Sequence, residues 1–335
     1  RADSPDKFEA GTPAIINVIA FAKALLMIKK YGTGIFKNVA IEEFSPDEIL
    51  NREEFIEFPG RQLLQKLQQT LIGRNTLVPT NKGLRPFINL DNSASTPTFA
   101  SILNVYKKAF LQPENICRRI INEVKSICAD FLTAPQSEYD IIFTSNTTES
   151  INLAAESFGL NAGAENEPVI LSTILEHSSN DLPWRDVKGS SVIRLSVDKE
   201  GFWDLNELES ILASYNTKNE FGRKRIKLVA VSGASNVLGS CNNLTETSKV
   251  VHKYGAFLFV DAAQLAAHRE INMKKCDIDF LALSGHKIYA PFGCGVLAVK
   301  KGYLNFNDKE MEIITASGEE NAAGIISISL SLKLR

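Results

Sequence analysis

The sequence predicts an α/β fold built on a mostly parallel, mixed sheet of about seven strands with flanking helices. Three observations carry that expectation. From about residue 87 onward, short β-rich runs recur: "DIIFTS" (140–145), "PVILST" (168–173), "SVIRLS" (191–196), "KLVAVSG" (227–233), "AFLFVD" (256–261), "DFLALS" (279–284) and "GVLAVK" (295–300). Amphipathic stretches such as "TTESINLAAESF" and "LTETSKVVHKYG" separate most of them. The runs are continuously apolar rather than alternating, which is the pattern of strands covered on both faces.

Composition narrows the function classes. Hydrophobic residues make up 44% of the 335 and charged residues 23%, the balance of a globular chain. A formal net charge of -2 gives no electrostatic footprint for nucleic acid. The longest apolar stretch, "AIINVIAFAKALLMI" (14–28), is interrupted by Asn17 and Lys23. It is too short and too polar for a good membrane span and reads as a buried helix. The opening "RADSPDKFEAG" carries no signal-peptide pattern, so a cytoplasmic location is expected. The five cysteines (Cys117, Cys128, Cys241, Cys276, Cys294) are dispersed and form no C-x-x-C pair. That argues against a disulfide framework and against a zinc site.

Residues 1–86 differ from the rest. A helix is expected over 14–31, then the polar stretch "GTGIFKNVAIEEFSPDEILNREEF", then a second helix over 60–73. The region reads as helices packed outside the sheet, and residues 87–335 as the α/β domain.

In such sheets ligands sit beyond the carboxyl ends of the strands. The strand ends here agree with one another. They read "SNTTES", "ILEHSSN", "SGASNVLG", "DAAQ" and "SGHK". A lysine at the tip of a buried strand, Lys287, is placed for covalent chemistry, because desolvation and nearby positive charge make its amine a nucleophile. Its most economical use is a Schiff base with pyridoxal phosphate. That cofactor needs an acid for its ring nitrogen, a phosphate cup and a group over the ring. Asp261 suits the first. The helix opened by "SNTTES", with the Thr147 and Thr148 hydroxyls, suits the second. His177 suits the third and can shuttle protons. A nicotinamide-dependent oxidoreductase is disfavoured, because no strand is followed by G-x-G-x-x-G.

Over about 89–324 these motifs resemble, in order, those of the class V aminotransferases. This is the cysteine-desulfurase-like branch of the fold-type I pyridoxal phosphate enzymes. "LDNSAST" is similar to the family's "LDNAATT", and "FTSNTTESINLAAES" to its phosphate turn "FTSGTTEAINLVA". "EHSSNDLPW", "ASNVLG", "DAAQLAAH" and "SGHKIYAPFGCGVL" follow. The resemblance implies that Lys287 carries the cofactor and Asp261 pairs with the pyridine nitrogen. It implies that Gln264 and Asn236 bond the phenolic oxygen, and that His177 stacks on the ring as acid–base. Thr147, Thr148, Ser284 and His286 would hold the phosphate. An amino-acid substrate is implied, with transamination or desulfuration as the reaction. The alternative is a pseudo-enzyme that keeps the fold. His268 matches a family position but receives no role, and His252 reads as a surface residue. The family's glycine before the two threonines is Asn146 here. Asn tolerates the left-handed backbone that such a turn can need.

The order of the chain departs from the family. "KFEAGTPAIINVIAFAKAL" (7–25) resembles a segment that in the family follows the lysine, where "ASGEENAAGIISIS" (316–329) already stands. The chain therefore reads as the tail of one domain copy followed by most of a second. A homodimer, or a pseudo-dimer of tandem copies, is implied. In the family the threonine of this turn reaches a neighbouring subunit's phosphate. Thr12 would serve the Lys287 site, whereas Glu319, aligned with it, would repel a phosphate. The family's smaller C-terminal domain, with its substrate-binding arginine and persulfide loop, is expected to be missing after "SLKLR". None of the five cysteines matches that loop. If Thr12 serves the site, Thr12→Glu weakens retention of pyridoxal phosphate, read as cofactor content after gel filtration; unchanged content contradicts it.

Overall fold

The structure is a computed structural model and describes residues 15–32, 44–50, 60–160, 166–316 and 321–334. Its contacts divide the chain into two compact units. One comprises Arg1–Val124, Gly285–Cys294 and Gly318–Arg335; the other comprises Lys125–Ser284 and Gly295–Ser317.

The first unit is mainly helical. The helix Ala322–Lys333 is buried from Ala323 to Leu332 and packs on the helix Ala100–Phe110. Its sequence alternates serine with large aliphatics, and two buried hydroxyls bond back to their own helix. Ser327 Oγ donates to the Gly324 carbonyl and Ser329 Oγ to the Ile326 carbonyl, each at 2.7 Å. These bonds satisfy two of the three buried hydroxyls of the serine run, whereas Ser331 Oγ has no hydrogen-bond partner. Asn321 caps the start, its Oδ1 accepting from the Gly324 N–H at 3.2 Å. The short helix Pro46–Leu50 adds Ile49 and Leu50, both fully buried, against the same pair.

Two features of this unit correct the sequence reading. The first is a hairpin of β1 (Leu77–Thr80) and β2 (Gly83–Pro86), where only a lead-in to the sheet was expected. Its turn needs Gly83 at φ +87°, and Thr80 Oγ1 closes it by donating to the Gly83 carbonyl at 2.6 Å. The second is the helix Ile15–Tyr31. It forms nearly where expected and ends on Gly32 at φ +71°, whose N–H bonds the Ile28 carbonyl. It is not a buried helix, however. Val18, Ile19, Phe21, Leu25 and Leu26 are all at least half exposed. Apolar residues lie on every side of it, so composition alone favoured burial, while burial depends on a neighbour that composition does not specify. Gly11, Thr12, Gly318 and Glu319 lie outside the described residues. Among the described residues, no helix is long and apolar enough to cross a membrane.

The second unit holds the sheet. Its strands are β3 (Tyr139–Thr144), β4 (Glu167–Thr173), β5 (Ser191–Leu195), β6 (Lys224–Ser232), β7 (Phe257–Asp261), β8 (Phe280–Ser284) and β9 (Gly295–Lys300). They lie in the order β3-β9-β8-β7-β6-β4-β5. Only β9 runs against the others, pairing antiparallel with both β3 and β8. Each of the seven runs expected from the sequence is a strand, within three residues at either end. The core includes Ile142, Ile170, Trp184, Phe259, Ala282 and Leu297. Trp184 meets Phe259 edge-on, with ring centroids 5.2 Å apart. Taking one such large side chain out of water contributes about 1.5–3 kcal/mol.

The amino end of β8 is closed by a charge cluster. Asp279 is fully buried and accepts from the Leu258 N–H at 2.8 Å, His252 Nε2 at 2.7 Å and Lys300 Nζ at 2.8 Å. Asp277 takes His252 Nδ1 at 2.9 Å and Lys300 Nζ at 2.5 Å. His252 is therefore not a surface residue, as its place in the helix Leu244–Lys253 suggested. The helix packs on β7 and turns this ring toward the carboxylates. The bond to Asp279 raises the His252 pKa above its ordinary value, against the cost of burial. Burial acts to lower the Lys300 pKa, but Asp277 and Asp279 outweigh it and hold it above the ordinary lysine value. A raised folded-state histidine pKa stabilises fully below the unfolded value near 6.5 and stops doing so as pH rises through the folded value. The stability difference between the parent and His252→Gln, measured by urea unfolding, is expected to be largest below that value and to shrink at alkaline pH. A difference that grows with pH contradicts this.

Candidate functional site

The carboxyl ends of β3, β4, β6, β7 and β8 carry polar residues along one edge of the sheet. β3 ends at Thr144, and the helix Thr147–Leu160 begins three residues later. Asn146 is buried and caps that helix, its Oδ1 accepting from the Glu149 N–H at 2.9 Å. It is not among the residues with positive φ, so its role is capping rather than the left-handed turn considered from the sequence. Glu149 reciprocates by accepting from the Ser145 N–H. Gly295, at the start of β9, lies so close that a Cβ there would stand 2.7 Å from the Asn146 backbone.

The two threonines opening the helix have separate partners. Thr147 N–H donates to Ser284 Oγ at 2.8 Å, and Thr147 Oγ1 lies 2.6 Å from the same hydroxyl. This ties the helix start to the last residue of β8. Thr148 Oγ1 lies 2.7 Å from Ser179 Oγ, which in turn lies 3.0 Å from His177 Nδ1. Thr147, Thr148, Ser284 and His177 are thus brought together as two adjoining hydrogen-bonded groups.

His177 stands on a braced turn. The preceding Glu176 accepts from Thr173 Oγ1 at 2.7 Å and from both Ser232 Oγ and Asn180 Nδ2 at 2.6 Å. Asn180 Oδ1 accepts from Trp184 Nε1 at 2.9 Å, linking the turn to the core. Burial pushes the Glu176 carboxyl above the ordinary carboxylate range despite its three donors. Asp261 ends β7, Gln264 follows it, and both are buried. The Ala263 N–H donates to Asp261 Oδ1 at 2.9 Å and fixes the carboxylate at the strand end. Asn236 is exposed, in a turn whose Ser235 Oγ accepts the N–H groups of Val237 and Leu238.

Residues Gly285–Cys294 belong to the first unit and carry the lysine. Gly285 is required there, since a Cβ would press on Ala290 Cβ and the Cys294 carbonyl at 3.1 Å. Thr96 anchors the segment. Its N–H and Oγ1 donate to the His286 carbonyl at 2.9 and 3.0 Å, and the Tyr289 N–H donates to Thr96 Oγ1 at 2.7 Å. Tyr289 is held at φ +72°, a strained position for a bulky residue. Lys287 is half-buried, with Nζ donating to the Ser93 carbonyl at 2.9 Å. His286 is buried, stacked on Phe292 at 5.2 Å, and neither of its ring nitrogens has a hydrogen-bond partner. Burial, reinforced by the Lys287 charge, pushes this imidazole down to about 4. It is therefore neutral at physiological pH.

Within the second unit, the Thr147, Thr148 and Ser284 hydroxyls at a helix start fit an anionic phosphate ester; within the first, the Lys287 amine fits an aldehyde. A neutral histidine with two buried, unpartnered nitrogens is costly unless it meets a further polar group. The helix start offers hydroxyls and a favourable dipole end. Thr12 lies outside the described residues. Sequence reasoning missed Ser93, Thr96, Glu176 and Ser179, although all four sit inside the quoted motifs "LDNSAST" and "EHSSNDLPW". Small hydroxyl residues in loops carry no periodicity that would single them out.

Comparison with known proteins agrees with this geometry. The profile of the family described as aminotransferase class-V matches residues 88–320. A probable cysteine desulfurase of Halalkalibacterium halodurans is 31% identical over 249 residues, covering 70% of this chain and 57% of the relative. One of Borreliella burgdorferi is 36% identical over 239 residues, covering 64% and 54%. The chain spans little more than half the length of these relatives. Among solved structures, the apo cysteine desulfurase of Thermococcus onnurineus NA1 superposes with a TM-score of 0.66 at 27% identity, covering 80% of this chain and 70% of that one. With its sheet, its ordered strand-end motifs and this match over most of its length, the chain belongs to the class-V aminotransferase family.

Proposed function

We propose that the chain binds pyridoxal 5'-phosphate and acts on an amino acid, in the manner of an aminotransferase or a cysteine desulfurase. The observation that carries the reading is the pairing of Lys287, on its braced Gly285–Lys287 turn, with the unpartnered buried ring of His286 beside it. The likeness to proteins named cysteine desulfurases supports the desulfurase branch.

Each residue has a task that follows from its chemistry. Lys287 would hold the cofactor through its amine and would take up or return a proton at Nζ. Asp261, held by the Ala263 N–H, supplies a negative charge for a protonated ring nitrogen. Gln264 and Asn236 supply donors for the phenolic oxygen. Thr147, Thr148, Ser284 and His286 would hold the phosphate, with His286 able to donate from a neutral ring. His177 would contact the cofactor's ring and would hold a proton for transfer to or from the substrate. The bound cofactor supplies an electron sink that stabilises negative charge at the substrate's α-carbon.

The test is optical. The protein with added pyridoxal phosphate is expected to show a visible absorption band that Lys287→Ala abolishes. Titration with L-cysteine and L-alanine then shows which amine perturbs the band. A protein that takes up no cofactor contradicts the proposal. A band that no amino acid perturbs favours a pseudo-enzyme.

A further inference from the structure

The hydroxyl chain from Thr148 to His177 has a direction. Ser179 contacts His177 Nδ1 twice, through its backbone N–H at 3.2 Å and its Oγ at 3.0 Å. A backbone N–H only donates, so Nδ1 is the acceptor and carries no proton. The neutral ring therefore has its proton on Nε2. With Nδ1 bare, the Ser179 hydroxyl has nothing to accept from it, so it donates its own proton there. Ser179 Oγ then has lone pairs left and accepts at 2.7 Å from Thr148, whose single hydroxyl proton is committed to this bond.

We propose that Ser179 and Thr148 are positioning residues whose hydroxyls, in series, hold neutral His177 with Nδ1 as acceptor and Nε2–H as hydrogen-bond donor. The inference rests on the cofactor reading only for what His177 acts upon. It refines that reading in two ways. Neutral His177 offers Nε2–H as a hydrogen-bond donor and keeps its basic lone pair on Nδ1, turned to Ser179. The Thr148 hydroxyl serves the histidine, leaving the Thr147 and Ser284 hydroxyls as the side-chain oxygens of the helix start that do not point to it. The Glu176–Asn180–Trp184 bracing keeps the turn in place, so Ser179 is presented to the ring by a rigid backbone.

The proton positions can be read directly, because the chain has only four histidines. Long-range proton–nitrogen spectra of uniformly labelled protein, at alkaline pH and without cofactor, report each ring nitrogen; His177→Gln identifies its pair. In the parent, Nδ1 of His177 is expected to show a bare but hydrogen-bonded nitrogen and Nε2 a protonated one. Ser179→Ala should move Nδ1 toward the unbonded position, and Ser179→Thr should restore it. Thr148→Val should move Nδ1 in the same direction by less. In the Ser179→Ala background it should add nothing. The proposal is overturned if Ser179→Ala leaves Nδ1 unmoved, or if Thr148→Val has the same effect in both backgrounds. Failure of the cofactor reading shows separately, as a Thr147 amide resonance that does not respond to added pyridoxal phosphate.

Discussion

The Thr147–Ser284 contact organises the sheet edge on which the rest depends. Ser284 is the last residue of β8, and its hydroxyl receives the first N–H of the helix Thr147–Leu160 while lying 2.6 Å from the Thr147 hydroxyl. Both residues are buried, so each polar atom there must find a partner within the protein. The bond holds together two elements far apart in sequence, and it works only because β9 starts on Gly295. Any larger residue there would meet the Asn146 backbone. Helix start, strand end and antiparallel strand thus converge at the Asn146-capped start of the helix.

From that edge the chemistry spreads in one direction through hydroxyl groups. Thr148 passes a hydrogen bond to Ser179, and Ser179 to His177. A half-buried glutamate whose carboxyl accepts three hydrogen bonds secures the turn. Such networks restrict motion because each member loses a partner if any one moves. On the other unit, Thr96 and Ser93 do comparable work for Lys287 by bonding the backbone and the amine.

Much of this was legible in the sequence. Continuous apolar runs specified the strands, because a strand covered on both faces has no polar side to show. The motif order pointed to Lys287, Asp261, His177 and the threonine pair. Less visible were features set by partners rather than by local pattern. The exposure of the helix Ile15–Tyr31 depends on what lies beside it, and the pairing of half-buried His252 depends on two aspartates 25 and 27 residues away. The hairpin at residues 77–86 turns on one glycine. Ser179 was hidden because serine in a loop is common, and only the distances reveal which hydroxyl faces which ring.

The account stands on Lys287 as the covalent anchor. The most direct test is to incubate the protein with pyridoxal 5'-phosphate, reduce with borohydride, digest, and locate the phosphopyridoxyl mass by peptide sequencing. The account predicts the label on the peptide containing Lys287, in clear excess over every other lysine, and its loss from that peptide in the presence of excess competing amine. A label spread over surface lysines, with Lys287 no more modified than the rest, would contradict it.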